Sequence, residues 1–177
     1  MNILLFSGGA DSSLLFHTLV IEKVEFNCIF LDYCQEALEN EQQAVTELCS
    51  KFFIPLEIVK LNIDTKYNDF YIAGRNLFLV GLAATRCREG DSIYIGVNKS
   101  DDADFPDCRA EFVKTLRQSL YLGYGIKLET PLISLTKKAI LQKLRTVNYS
   151  NYFYCYTPKE GVPCGKCLSC SVYLEAV

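Results

Sequence analysis

Four apolar residues, Ile3-Leu4-Leu5-Phe6, run directly into Ser7-Gly8-Gly9-Ala10-Asp11-Ser12, and a helix-period segment from Asp11 to about Glu22 follows. That junction constrains the chain more than any other feature. Two consecutive glycines permit a positive φ and remove both Cβ atoms, so backbone N–H groups can converge on an anion. The helix behind them adds its unpaired N-terminal N–H groups and the positive end of its dipole. Ser7 and Ser12 supply hydroxyl donors. A strand, a bare turn and a helix start in this order form a phosphate cradle. The pattern G-x-x-x-x-G-K-[ST] is absent, which excludes an ordinary P-loop. A turn that merely connects strand to helix is the competing reading, but it does not call for both serines and the aspartate at these positions.

The second constraint lies at the other end. Cys155, Cys164, Cys167 and Cys170 place three cysteines at C-x-x-C-x-x-C spacing with a fourth a short loop upstream. Four thiolates around one ion form a closed tetrahedral site, the usual structural zinc arrangement, with no position open for catalysis. Gly165 suits the tight turn of a knuckle, and Pro163 stiffens the approach. Two disulfides would need an oxidising compartment, and Met1 leads straight into a strand with no signal layout. A redox C-x-x-C fits less well than a metal, because two copies share a cysteine. An iron–sulfur cluster remains open, since spacing alone does not distinguish it from zinc. The one histidine, His17, lies far upstream, which leaves an all-cysteine site. The other cysteines (Cys28, Cys34, Cys49, Cys87 and Cys108) read as reduced, mostly buried thiols of a cytoplasmic protein.

Between these ends, short strand-like runs alternate with helix-period segments. Strands are expected at Asn2–Phe6, Phe26–Tyr33, Leu56–Leu61, Ser92–Val97 and Lys127–Leu132. Helices are expected at Glu36–Phe52, Gly74–Arg88, Arg109–Leu122 and, capped by Thr136, Lys137–Leu144. The Glu36–Phe52 stripe is apolar except at Glu41, and Leu77, Val80, Gly81 and Ala84 line one side of the next helix. The pattern predicts one α/β domain over residues 1–177, with a parallel sheet of about five strands and helices on both faces. The cysteine segment 155–170 is integral to it. Ligands of such sheets bind beyond the carboxyl ends of the strands. Polar segments stand there in order: the SGGADS loop; Asp32-Tyr33-Cys34-Gln35; Tyr71 to Asn76; Gly96-Val97-Asn98 with Asp101; Phe105 to Phe112; and Leu135-Thr136-Lys137.

Composition limits the partners. The chain has 177 residues, half of them hydrophobic, enough for a core of its own. No apolar run is long enough to cross a bilayer, so no membrane association is expected. The formal net charge is −3 and no Lys/Arg-rich run occurs, which weighs against direct nucleic-acid binding. A small-molecule site, or one built across a homodimer, fits better.

The loop SGGADS resembles the pyrophosphate loop of the ATP pyrophosphatases, which cleave ATP between its α and β phosphates. Taken in order, FSGGADS, LDYCQ, AGRNLF, GVN, FPDCRAEF, PLISLTK and C-x8-C-G-x-C-x-x-C resemble the 7-cyano-7-deazaguanine synthase (QueC) family over nearly the whole chain. The resemblance implies an adenine-nucleotide hydrolase-like fold and a zinc knuckle at the four cysteines. It also implies an ATP-dependent ligase converting 7-carboxy-7-deazaguanine and ammonia to the nitrile through an adenylated carboxylate and an amide. ATP would lie along Phe6, Ser7, Gly8, Gly9, Ala10, Asp11, Ser12 and Ser13, with Asp32, Tyr33, Gln35 and Gly96 at neighbouring strand ends. Ser7, Asp11, Ser12, Arg75 and Lys137 would carry catalysis, with Mg2+ on the phosphates and Asp11 as its ligand. Arg75, Asn76, Asn98, Phe105, Asp107 and Arg109 would meet the deazaguanine, Asp107 accepting hydrogen bonds from its guanine-like edge. Two departures stand out: a short stretch between the third strand and AGRN, and cysteine in LDYCQ where the family usually has glycine or asparagine. A relative that stops at the amide, or joins the deazaguanine to another amine, would use nearly the same pocket. A tRNA sulfur-transfer enzyme would want a catalytic cysteine pair and a basic extension, and neither is present. A nucleotide-binding module without catalysis is the remaining reading.

Overall fold

The computed structural model describes residues 1–61 and 72–176; Tyr71, which opens one of the polar segments, lies outside them. Five parallel strands form one sheet: β1 (Asn2–Leu5), β2 (Asn27–Asp32), β3 (Leu56–Lys60), β4 (Ser92–Tyr94) and β5 (Lys127–Glu129), in the order β3-β2-β1-β4-β5. Register pairs Leu4 with Cys28 on one side and with Tyr94 on the other. The helices are α1 (Ala10–Ile21), α2 (Leu38–Phe52), α3 (Arg75–Ala84), α4 (Ala110–Tyr124), α5 (Lys137–Thr146) and α6 (Leu168–Ala176).

Alternation along the two central strands divides the core. Leu4, Phe6, Cys28 and Phe30 face one layer, where α1, α2 and α5 contribute Leu15, Phe16, Val45, Leu48, Ile140 and Leu144. Ile3, Leu5, Ile29 and Leu31 face the other, against Val80 and Ala83 of α3 and Val113, Leu116 and Leu120 of α4. Successive residues of a strand point to opposite faces, so central strands covered on both sides must be apolar throughout. Phe16 anchors the first layer: its ring stacks on Phe6 at 5.1 Å and meets Phe26 and Phe52 edge-on at 5.4 and 5.6 Å. His17 packs beside it against Tyr149 and Phe52 and is no ligand of the cysteine cluster.

Sequence expectations change in several places, among them the strand expected at Lys127–Leu132, which ends at Glu129. The strand expected at Ser92–Val97 ends at Tyr94, because Ile95 N–H bonds to Glu129 and Val97 N–H then turns back onto the Ile95 carbonyl. In α3, Val80 and Ala83 are buried, whereas Leu77 is 52% exposed and, among the described residues, no atom would lie within 4 Å of a Cβ at Gly81. The helix is rotated from the expected face because Asp107 pins its first turn, Oδ2 accepting from Asn76 N–H at 2.9 Å. Among the described residues, no helix is long and apolar enough to cross a membrane.

In the strand order 3-2-1-4-5 the chain reverses direction across the sheet between β1 and β4. That point is where a doubly wound sheet leaves a crevice at its carboxyl edge.

Candidate active site

The SGGADS loop fills that crevice. Gly8 sits at φ +75°, and a Cβ there would come within 2.9 Å of the Glu41 carbonyl oxygen of α2. Gly9 is the N-cap of α1 with extended backbone (φ −74°, ψ 168°). The need for positive φ therefore falls on Gly8 alone, while Gly9 leaves the approach to the helix N-terminus bare. Ser7 Oγ and Ser12 Oγ lie 3.1 Å apart, Ser12 Oγ donates to the Gly9 carbonyl, and Gly9 N–H points at Ser7 Oγ. Gly96, after β4, closes the other wall; its Cβ would lie 3.0 Å from Ser12 N and 3.1 Å from Asp11 Cβ.

A cavity of about 460 Å3 opens from this loop. Lys137, at the start of α5, reaches it and binds Asp11 Oδ2 through Nζ at 2.5 Å. Burial opposes the lysine's charge, but Asp11 and Asp101 outweigh it and hold its pKa above the ordinary value. The second oxygen of Asp11, Oδ1, is buried without a hydrogen-bond partner among the described residues. Asp101 is pushed up to about 6, first by burial and then by its carboxylate neighbour Asp11, with Lys137 and Arg75 pulling it down. Arg75 opens α3 across the cavity. Burial works against its charge, and Tyr33, Tyr156 and Asp107 more than compensate. The cavity therefore holds two cations against the SGGADS loop, with the carboxylates Asp11 and Asp101 between them. The buried, unmatched Asp11 Oδ1 and its neighbour Asp101 are a donor set that suits magnesium, a hard cation with oxygen ligands.

The remaining expected residues divide. Phe6, Ser7, Gly9, Ala10, Asp11, Ser12, Tyr33, Gln35, Arg75, Asn76, Gly96, Phe105 and Lys137 line this one cavity. Ser13 does not: it is fully buried on the inner face of α1. Asp32 folds back to accept from Cys34 N–H at 3.1 Å. Gln35 lines the cavity but spends its amide bracing the β2–α2 turn, accepting from Tyr33 N–H and donating to the Leu31 carbonyl and Glu41. Asn98 is fully buried and holds Asp101 and Ser100 in place, so it positions rather than contacts. Asp107 is occupied as the partner of the α3 N-terminus, where a carboxylate suits the positive end of the dipole. Arg109 lies outside the cavity lining, with its side chain 53% exposed and paired to Asp102 at 3.6 Å. The pocket expected between Arg75 and Arg109 is thus built on Arg75 without Asp107 or Arg109 as its walls.

Its other wall comes from the C-terminal segment. Phe153, Tyr154, Tyr156, Leu168 and Tyr173 face the cavity, and the Tyr154 and Tyr173 rings are nearly parallel with centroids 3.8 Å apart. The Tyr156 hydroxyl is pushed up to about 12, chiefly by burial. Behind this wall Cys155, Cys164, Cys167 and Cys170 converge, all four sulfurs within 4.8 Å of one another. Four sulfurs at ~2.3 Å from one tetrahedral ion lie about 3.8 Å apart, and the pairs Cys164–Cys170 and Cys155–Cys167 are 4.0 Å apart. The cage is sized for a single ion rather than a multi-iron cluster. Backbone N–H groups of Tyr156, Cys164, Cys167 and Cys170 point at its sulfurs, an arrangement that stabilises thiolate charge.

The sequence profile of the queuosine biosynthesis protein QueC matches residues 62–177. The chain belongs to the QueC family. A 7-cyano-7-deazaguanine synthase of Leptospira interrogans is 32% identical over 201 aligned positions, covering 95% of this chain and 82% of the relative. That of Rickettsia bellii is 30% identical over 98% of this chain and 92% of its own. Both alignments are longer than the chain itself, so these relatives carry segments that it lacks. Among solved structures, NMN synthetase from Francisella tularensis aligns with a TM-score of 0.56 at 15% identity, over 93% of this chain and 70% of that one. The NH3-dependent NAD synthetase of Campylobacter jejuni aligns with a TM-score of 0.51 at 17% identity, over 83% and 63%. These likenesses show a shared α/β fold with a parallel sheet.

Glu41 and the aromatic wall line the cavity although neither is among the site residues expected from sequence. Glu41 lines the cavity, with Oε2 accepting from Gln35 Nε2 at 2.9 Å. Burial pushes it up to about 7 against the pull of Gln35 and Arg75. Its signal was the one charge interrupting the apolar stripe of α2. The aromatic wall was signalled by Tyr152-Phe153-Tyr154 beside the first cysteine.

Proposed function

We propose that this chain is an ATP-dependent ligase acting on a deazaguanine carboxylate, converting 7-carboxy-7-deazaguanine and ammonia to 7-cyano-7-deazaguanine. The observation that carries this reading is one cavity holding a phosphate loop, two buried cations and an aromatic wall, in a member of the QueC family. The names of the relatives supply the product, 7-cyano-7-deazaguanine.

The chemistry follows from the residues. A carboxylate is a poor electrophile; its oxygen attacks the α-phosphorus of ATP, pyrophosphate leaves, and the acyl adenylate then accepts ammonia with loss of AMP. The amide oxygen then attacks the α-phosphorus of a second ATP with release of a second pyrophosphate. Departure of that oxygen with AMP, with loss of the two amide N–H protons, leaves the nitrile. The N-terminal N–H groups of α1 with Ser7 and Ser12 stabilise the pyrophosphate, and Lys137 exchanges Asp11 for a phosphate oxygen. Arg75 neutralises two anions brought together, a task for a guanidinium fork. Asp11 and Asp101 would hold magnesium, which supplies further charge neutralisation on the phosphates. Tyr154, Tyr156 and Phe105 give a planar ring its walls, and Glu41 offers an acceptor for ligand N–H groups. The four cysteines would hold zinc as a structural ion.

The protein incubated with ATP, magnesium, ammonium and 7-carboxy-7-deazaguanine should yield the nitrile by mass spectrometry, with two AMP per product. Accumulation of the amide with one AMP would assign the chain the shorter reaction, and no product would overturn the reading.

A further inference from the structure

We infer that the four-cysteine knuckle and the phosphate loop form one coupled unit, in which the backbone N–H of Phe153 sets the orientation of the Gly8–Gly9 peptide. Phe153 N–H donates to the Gly8 carbonyl at 3.0 Å. In a planar trans peptide the carbonyl and the following N–H point in opposite directions. With the Gly8 oxygen held toward Phe153, the Gly9 N–H is directed to the other side, where Ser7 Oγ lies 3.4 Å away and Ser12 Oγ lies 3.1 Å beyond it. Two glycines in succession have many accessible conformations and no side chain by which to fix one. Ser7 Oγ holds the peptide from its N–H side and Phe153 N–H from its carbonyl side, and the second contact ties its orientation to the C-terminal segment.

Phe153 is in turn fixed by the knuckle. Residues 153–156 belong to no helix or strand. Their path is set by Cys155, whose sulfur accepts from Cys164 N–H at 3.2 Å, and by Tyr156 N–H on the Cys167 sulfur at 3.5 Å. Phe153, Tyr154 and Tyr156 pack on the cysteine cluster, and Tyr154 stacks on Tyr173 of α6. An ion gripped by Cys155 thus stands two residues from the hydrogen bond that orients the loop. Coupling between two sites is reciprocal: metal strengthens pyrophosphate binding by the factor by which pyrophosphate strengthens metal binding. The inference rests on the reading of Ser7 to Ser12 as a pyrophosphate site.

The test uses the zinc-loaded chain with magnesium pyrophosphate as the probe. Zinc affinity, measured by competition with a colorimetric chelator, should tighten at least about fivefold in saturating magnesium pyrophosphate and should not change with AMP, which lacks the pyrophosphate. Phe153→Pro has no N–H to donate. It should retain one zinc, by metal analysis, while its pyrophosphate affinity, by calorimetry, falls about fivefold or more. Equal zinc affinity with and without bound pyrophosphate overturns the inference, and where the proline variant does not fold that comparison decides alone. Absence of any pyrophosphate or ATP binding to the zinc-loaded chain instead removes the pyrophosphate site itself, and the inference with it.

Discussion

Cys34 holds the left-handed conformation at φ +62°, which costs a residue with a Cβ about 1–2 kcal/mol. Glycine and asparagine are the residues that tolerate this geometry. Cys34→Gly should raise the melting temperature by roughly 2–6 °C in a chain of this size, read by calorimetry; an unchanged or lower value would show that the thiol has compensating contacts. Glu41 is a second residue where local energetics and placement oppose each other. Its pKa is raised from 4.5 to about 7 by burial. The resulting stabilisation is fully present below about pH 4.5 and is lost as pH rises through about 7. Glu41→Gln should therefore be the more stable protein at pH 8.5, by roughly 2–3 kcal/mol, with the gap closing toward pH 5 and ligand binding weakened. A glutamine variant whose advantage over the parent is no larger at pH 8.5 than at pH 5 would contradict the buried-carboxylate account. Asp107 and Arg109 show the limit of residue reading: both follow a strand at the correct edge, yet one is used by Asn76 and the other by Asp102. Such partners are made by tertiary contacts and leave no trace in spacing.

At the scale of elements, the β1–α1 junction was readable because its chemistry is local, a bare turn between a strand and a helix start. Which glycine does what was not, since that depends on α2 standing behind Gly8. Gly8→Ala meets both a positive φ and the Glu41 carbonyl and should destabilise the fold by about 2 kcal/mol or more. A Cβ at Gly9 has its nearest neighbours at 3.5 and 3.6 Å, so Gly9→Ala should fold with stability within about 0.5 kcal/mol of the parent. Thermal unfolding of the two variants side by side checks this; equal destabilisation would mean that Gly9 also is packed tightly. Helix α6 was invisible because Cys170 and the closely preceding cysteines read as metal ligands and masked the helical period. In the structure Cys170 serves both roles, as a cluster member and the buried residue of α6. Cys170→Ala should bring zinc content well below one per chain and lower the melting temperature, since metal binding free energy is here folding free energy. Full zinc occupancy in that variant would exclude the four-thiolate site.

For the molecule as a whole, the parallel sheet with two helical layers followed from the alternation of short apolar runs and helix-period segments. The strand order, which puts β1 beside β4 and creates the crevice, follows from packing across the sheet and was supplied by the structure. The crevice collects the loop after β1, Gly96 after β4, Arg75 from α3, Lys137 from α5 and the aromatic wall from the C-terminal segment. Residues far apart in sequence thus meet at one site, and the chemistry proposed for it is transfer of AMP to a carboxylate. Exchange of labelled pyrophosphate into ATP, measured without ammonia, tests that claim most directly. Reversible adenylation predicts exchange that depends on 7-carboxy-7-deazaguanine and disappears in Arg75→Ala and Lys137→Ala. Exchange that is absent with the acid present, or ATP cleavage to ADP and phosphate, would contradict it.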